Sequence, residues 1–179
     1  LGDKKNFKIT TIDDLNYLKS NTYYGIGFDI HRLIKNKKLY LGGTKIPFHS
    51  GLQGHSDGDV ILHAIIDGLL GAMRKKDIGS LYPSNKMKFK NIRSPNMLLP
   101  ILKILDKNGY FINNIDINLI CENPKVSKYR AKIITSLSNL LKINKDQINL
   151  KGKTVEKLGL IGKENAIACE TIVSLNYYA

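Results

Sequence analysis

The chain has 179 residues, 42% of them hydrophobic, enough for one domain with a real core. No apolar run reaches membrane-spanning length, so no membrane partner is expected. A net charge of +13 raises nucleic acid or an anionic substrate. The excess is almost all lysine, however, spread along the chain beside many asparagines, and no recognition-helix, zinc-finger or aromatic RNA-binding motif accompanies it, so no nucleic-acid partner is expected either.

The chain begins at Leu1 rather than Met, as a trimmed chain would, and any targeting segment would then be missing. Residues 1–21 read as an N-terminal extension with a short amphipathic piece, Ile12 to Leu18, and 22–179 as a single domain. Tyr23 to Leu33 is aromatic and β-branched between glycines, which predicts a strand. Leu39 to Pro47 predicts a second strand, and His49-Ser50-Gly51 opens a loop. A long helix runs to about Arg74, with Ser56 as N-cap and Asp59 completing a capping box. It is apolar on nearly every side, so it packs on several faces. His63 lies one turn after Asp59 and one turn before Asp67, so all three are expected on one face.

Asp77 to Pro83 is a short turn of helix or loop, and 84–92 a polar, lysine-rich loop. Ser94 caps the next helix, with Pro95 at its first position and Asn108-Gly109 at its end. Asn113 to Glu122 alternates apolar and polar residues, as a strand buried on one face does. Lys128 to Leu141 predicts a third helix, Ile148 to Thr154 a strand, Val155 to Asn165 a glycine-punctuated loop, and Ala166 to Tyr178 a closing strand. The sum is a single α+β domain with a mixed β-sheet and three main helices. Cys121 and Cys169 lie in apolar strand-like runs without a C-x-x-C pattern and read as buried free thiols.

Two stretches carry chemistry. Gly25-Ile26-Gly27-Phe28-Asp29-Ile30-His31-Arg32 fails as a dinucleotide fingerprint, because the third glycine and the following helix are absent. Its useful feature is Asp29-x-His31: residues two apart on a strand point to one face. His63 can supply a third ligand, and two histidines with one carboxylate suit Zn²⁺ with an open position, or iron(II). A merely packed helix histidine is an equally available reading of these residues. In the second stretch, His55-Ser56-Asp57 cannot be a hydrolase triad, since adjacent residues do not converge. A helix start presenting N–H groups, a hydroxyl and an imidazole to a phosphate is the better functional reading, and plain helix capping the bland one. Asp77-x-Gly79 is either a solvated turn or a hydroxyl-recognition loop. Lys153-Thr154-Val155-Glu156 is either a surface turn or a site for phosphate and a divalent cation.

Taken together, Gly27-Phe28-Asp29-Ile30-His31, Gly54-His55-Ser56-Asp57-Gly58-Asp59 with His63, Asp77-Ile78-Gly79, Pro124-Lys125 and Thr154-x-Glu156-x-x-Gly159 resemble the 2-C-methyl-D-erythritol 2,4-cyclodiphosphate synthase family of the non-mevalonate isoprenoid pathway. The resemblance covers about residues 22–178. With no cytidylyltransferase unit in the chain, it is to the monofunctional form.

The resemblance implies a homotrimer with sheets around a threefold axis and active sites between subunits. It implies zinc on Asp29, His31 and His63, and Mg²⁺ or Mn²⁺ on Glu156. The substrate would be 4-diphosphocytidyl-2-C-methyl-D-erythritol 2-phosphate, cyclised with release of CMP. By family match His55 and Thr154 stabilise the transition state and Ser56 assists at the 2-phosphate. Asp77 and Gly79 take the erythritol hydroxyls, Tyr82 and Pro83 belong to the substrate loop, and Lys153 stands beside Thr154. Cys121 to Ser127, with Pro124 and Lys125 best matched, forms the cytidine pocket. Phe28, Lys163 and Glu170 match the lining of a trimer-axis cavity that can hold an isoprenoid diphosphate.

The chain departs from the family pattern at Ser84, and at Lys163-Glu164-Asn165-Ala166. Lys163 lacks arginine's bidentate fork, which implies weaker or altered diphosphate binding. The competing functions are a metal-dependent nucleotide diphosphate hydrolase, a basic nucleic-acid-binding module and a non-catalytic isoprenoid-diphosphate binder. Composition and extension imply a plastid-type organelle, apicoplast or chloroplast, with the bacterial cytoplasm as the alternative.

Overall fold

The structure, a computed structural model, describes residues 10–11, 21–83, 85–89 and 91–177. The amphipathic piece Ile12–Leu18, Ser84 and Tyr178 lie outside the described residues. Within them the chain runs β1 (Asn21–Lys35), β2 (Leu39–Leu41), β3 (Thr44–Ile46), β4 (Ser50–Leu52), α1 (Val60–Ala72), α2 (Ile78–Leu81), α3 (Ser94–Lys107), β5 (Tyr110–Ile120), α4 (Arg130–Leu141), β6 (Ile148–Lys153), α5 (Gly159–Gly162) and β7 (Ala166–Tyr177).

Five strands form one sheet in the order β4-β1-β7-β5-β6. All pairs are antiparallel except β5 with β6, so the sheet is mixed as expected. The long strands alternate over their central stretches, while Ala166–Cys169 at the start of β7 is buried throughout. On β1 the odd residues Gly25 and Gly27 are buried against α1, while Tyr24, Ile26, Phe28 and Ile30 are exposed on the opposite face. Ile115, Ile117 and Leu119 of β5 and Val173 and Leu175 of β7 complete the buried face. Cys121 and Cys169 are buried free thiols. Burial pushes the Cys121 thiol up to about 11 and the Cys169 thiol well above its ordinary range, so both stay protonated.

The glycines of β1 have a packing reason rather than a nucleotide-binding one. A Cβ on Gly25 would lie 2.0 Å from the Gly68 carbonyl oxygen, and one on Gly27 would lie 1.8 Å from that of Ala64. The backbones of β1 and α1 therefore touch, which seats His63 over Asp29 and His31.

Several local expectations need correction. Leu39 to Pro47 is a hairpin, not one strand: Gly42 and Gly43 both have positive φ, as a tight two-residue turn between β2 and β3 requires. Ser50–Leu52 is a strand, not a loop, because it pairs with Leu33–Lys35 at the sheet edge. Gly159–Gly162 forms a helical turn inside the predicted loop.

The N-cap of α1 is Asp59, not Ser56. Gly58, at φ +74°, turns the chain just before the helix, so no helix can start at Ser56. Asp59 is fully buried and accepts from the N–H groups of Ile61, Leu62, Gly42 and Gly43. It thus caps α1 and ties the β2–β3 turn to it. Burial pushes its carboxyl above the ordinary range, against the pull of these N–H donors. Asp59→Ala would leave those donors in the core without an acceptor. The expected cost is at least about 3 kcal/mol, read from the urea midpoint; a loss below about 1 kcal/mol would show the tie to be dispensable.

The cap expected at Ser94 is also different. Ser94 is the first helical residue of α3, and its N–H is accepted by the Asp57 carboxylate from outside the helix.

Candidate active site

Strand β1 carries Asp29 and His31 on the face that α1 covers, and α1 carries His63. The three meet. His31 Nε2 and His63 Nδ1 each lie 2.9 Å from Asp29 Oδ2, and 3.2 Å from one another. The edge of a tetrahedron with metal–ligand bonds of ~2.0 Å is about 3.3 Å, so an opening of a few tenths of an ångström admits a divalent ion. His63 is 7% exposed, and Asp29 and His31 are half-buried, so the cluster forms the floor of a cleft.

The electrostatics favour a cation there. Burial opposes the charge on Asp29, but hydrogen bonds and charge from His31 and His63 outweigh it and bring the carboxyl down to about 2. Burial likewise disfavours the His63 imidazolium, yet Asp29 raises its pKa above the ordinary value. Both shifts say that this floor holds positive charge well. The donor set, one carboxylate and two imidazoles with the cleft on the open side, fits a Zn²⁺-type ion at an open site.

Asp59 and Asp67 do not join His63, contrary to the shared-face expectation. Asp59 is spent on the four N–H groups above, and Asp67 accepts from the Ile78 N–H at 2.7 Å. Each carboxylate serves a backbone, because α1 is packed on all sides and its polar positions meet different neighbours.

The cleft has a volume of about 210 Å³. His55, Ser56, Gly79 and Tyr82 line it together with the three candidate ligands. His55 is exposed and Ser56 buried, the latter 3.1 Å from His63 Nε2. Asp77 stands at the start of α2, fully exposed, accepting from the Ser80 N–H and hydroxyl. Those bonds hold its carboxyl below the ordinary range. Tyr82 donates to the Met97 carbonyl at 2.9 Å, and Pro83 follows it, half-buried. Reading the sequence missed the apolar wall that Phe89, Ile92 and Met97 form with Ile78, and Lys86 beside it. Only their place in or beside the lysine-rich loop hinted at it.

A second cavity of about 250 Å³ is lined by Cys121, Pro124, Lys125, Lys153 and Thr154, among others. It shares no lining residue with the first. Glu156 lies just beyond it, exposed, and accepts from the Thr154 hydroxyl at 2.5 Å. Glu122, whose part the sequence did not signal, accepts from the Val155 and Lys157 N–H groups and so shapes this turn. The structure therefore sorts the expected site residues into two clusters, with His55 in one and Thr154 in the other. Phe28 and Glu170 lie elsewhere again, as cross-strand neighbours on the exposed sheet face, and Lys163 is exposed at the end of α5.

The model of the YgbB family matches residues 22–176. The chain belongs to this family. It is 46% identical over 151 residues to the 2-C-methyl-D-erythritol 2,4-cyclodiphosphate synthase of Clostridium botulinum, covering 84% of this chain and 96% of that protein. It is 52% identical over 174 residues to the bifunctional enzyme IspD/IspF of Pelagibacter ubique, covering 97% of this chain and 47% of that protein. The solved IspF of Plasmodium falciparum in its CDP complex superposes with a TM-score of 0.78 at 40% identity, over 88% of this chain and 97% of that one. The chain thus spans about half the length of the bifunctional relatives it matches. Family membership accounts for the mixed-sheet α+β domain.

Proposed function

We propose that the chain converts 4-diphosphocytidyl-2-C-methyl-D-erythritol 2-phosphate to 2-C-methyl-D-erythritol 2,4-cyclodiphosphate and CMP, as a metal-dependent phosphorus–oxygen lyase. The observation that carries this reading is the convergence of Asp29, His31 and His63 on the floor of a cleft rimmed by His55, Ser56 and Gly79. In the reaction an oxygen of the 2-phosphate bonds to the β-phosphorus, and the bond from that phosphorus to the bridging oxygen of CMP breaks. The nucleophile is already part of the substrate, so the protein's task is positioning and charge neutralisation. A zinc ion held by the three ligands would supply Lewis acidity toward the β-phosphate. His55 and Ser56 would hold the phosphates, and Asp77 and Gly79 the erythritol hydroxyls. The apolar wall from Phe89, Ile92 and Met97 would keep water from diverting the reaction to hydrolysis.

Thr154, Lys153 and Lys125 sit in the other cavity, where a cytidine diphosphate fits their charge and hydroxyl chemistry. That His55 and Thr154 line separate cavities of one chain supports a homotrimer in which neighbouring subunits complete each site. So does the exposed apolar row Tyr24, Ile26, Phe28 and Ile30, which asks for a partner surface. Phe28, Glu170 and Lys163 would then face the axis and could take an isoprenoid diphosphate. The compartment is proposed from composition and the N-terminal extension: a plastid-type organelle, or the bacterial cytoplasm. A longer polypeptide with an IspD-like unit is a second reading. It is favoured by the 97% coverage of this chain in the bifunctional relative, against 84% in the shorter one.

Phosphorus NMR of the substrate with the zinc- and magnesium-loaded protein tests the proposal. CMP with a coupled cyclic diphosphate is the expected product pair; CMP with an open-chain phosphate would establish a hydrolase instead. Glu156→Gln is expected to keep zinc but to need roughly tenfold more Mg²⁺ or Mn²⁺ for half-maximal rate, since the hard oxygen it offers is weakened. An unchanged metal-dependence curve would remove Glu156 from the second ion.

A further inference from the structure

Resting on the metal reading above, we propose that Asp57 and Ser94 form a positioning relay that fixes the tautomer of His63 and so selects Nδ1 as its metal-binding nitrogen. His63 has one ring nitrogen on each side of the site. Nδ1 faces Asp29 and His31 at the cleft floor. Nε2 points into the protein, 3.0 Å from Ser94 Oγ and 3.1 Å from Ser56 Oγ. Ser94 is fully buried, and its hydroxyl is in close contact with Asp57 Oδ1. An ionised carboxylate can only accept, so Ser94 spends its single proton on Asp57. Its oxygen is then left with lone pairs alone, and the partner 3.0 Å away must donate to it. When a metal ion replaces the Nδ1 proton that His63 shares with Asp29 at 2.9 Å, the proton left on the imidazole therefore sits on Nε2, and the Nδ1 lone pair faces the metal position.

Asp57 is held for this task. Arg93 Nε donates to its Oδ2 at 2.7 Å, and the Ser94 N–H lies 3.2 Å from both oxygens. Arg93 in turn lies over the Tyr40 ring, 4.0 Å from its centroid. These donors hold the carboxylate against Ser94, and through the serine it strengthens the donor electron density of His63, as carboxylates behind metal-bound histidines do. The same geometry frees Ser56. Its oxygen accepts from the Gly58 N–H at 3.1 Å, while its own proton is not claimed by His63 and can be donated to a phosphate in the cleft. The relay also spans two parts of the chain, tying the start of α3 to the metal ligand on α1.

The bland alternative is that Asp57 only caps α3. Capping requires the Ser94 N–H and not its hydroxyl, so Ser94→Ala separates the two. The full chain, its Ser94→Ala variant and its His63→Ala variant are compared by zinc titration against a competing chelator, with thermal melts as a fold control. Long-range proton–nitrogen spectra of the imidazoles, on wild type loaded with ¹¹³Cd²⁺, read the tautomer directly. The expected result is Nε2–H with cadmium coupling to Nδ1 in wild type, and zinc affinity 10–100-fold weaker in a Ser94→Ala variant that still melts cooperatively. Cadmium coupling to Nε2 of His63, or Ser94→Ala affinity within twofold of wild type while His63→Ala loses zinc, overturns the relay and leaves the metal site standing. Zinc binding that survives His63→Ala undiminished overturns the metal reading itself, and the relay with it. If Ser94→Ala does not fold, the wild-type spectra alone decide.

Discussion

His63→Ala is expected to strip the protein of zinc and to slow cyclisation by roughly three orders of magnitude. A Lewis acid on a phosphoryl oxygen is worth several kcal/mol of transition-state charge stabilisation, and each 1.36 kcal/mol is about a factor of ten. The side chain is 7% exposed and central to the cluster, within 3.2 Å of both other ligand atoms, so its loss leaves two ligands that cannot enclose the ion. Asp29→Asn and His31→Ala should behave alike, while the proposed homotrimer persists, because the ligands do not lie on the exposed sheet face. Metal content after dialysis and the phosphorus NMR rate are the two readings. One equivalent of zinc retained by dialysed His63→Ala, or full activity in it, would show that the ligand assignment is wrong.

Gly27→Ala should be among the most damaging single substitutions in the fold. The added methyl carbon would lie 1.8 Å from the Ala64 carbonyl oxygen and 2.8 Å from the Gly68 nitrogen, all backbone, so no side chain can swing away. Strand β1 and helix α1 would have to separate. Overpacking alone costs about 1–3 kcal/mol where side chains can adjust, and a backbone clash of this kind should exceed about 4 kcal/mol. The variant is expected to be insoluble, or to melt well below wild type, and to bind zinc poorly because Asp29 and His31 move off His63. A urea midpoint within about 1 kcal/mol of wild type would mean that the close approach of β1 to α1 is not required. Gly25→Ala, 2.0 Å from the Gly68 oxygen, provides a second test of the same contact.

Much of this architecture could be read in advance because it rests on short-range rules. The alternation of Ile115, Ile117 and Leu119 with polar residues places β5 on the sheet with one face inward. Pro95 and Asn108-Gly109 bound α3 closely, because proline suits a first helical turn and glycine follows a last one. The errors came where a distant group overrode a local signal. Ser56 and Ser94 both look like N-caps. One is displaced by the turn at Gly58 and the other has its hydroxyl claimed by Asp57, thirty-seven residues away in sequence. The hairpin at Gly42-Gly43 was hidden inside one apolar run, and the turn is held shut by Asp59 from the other side of the chain.

The class of the domain, the pairing of Asp29 with His31, and the chemistry that two histidines and a carboxylate permit were all legible in the residues alone. The period-2 geometry of a strand puts residues two apart on one side whatever else the chain does. The residues offered His63 as a third ligand and left a merely packed histidine open, and only the fold brings it to Asp29 and His31. That approach follows from Gly25 and Gly27, which let α1 lie directly on β1 and bring one particular helix position over one particular strand position. Only the tertiary structure, too, divided the remaining residues between two cavities and placed Asp57 and Ser94 behind His63. Such arrangements depend on where separate segments meet, which no local pattern specifies.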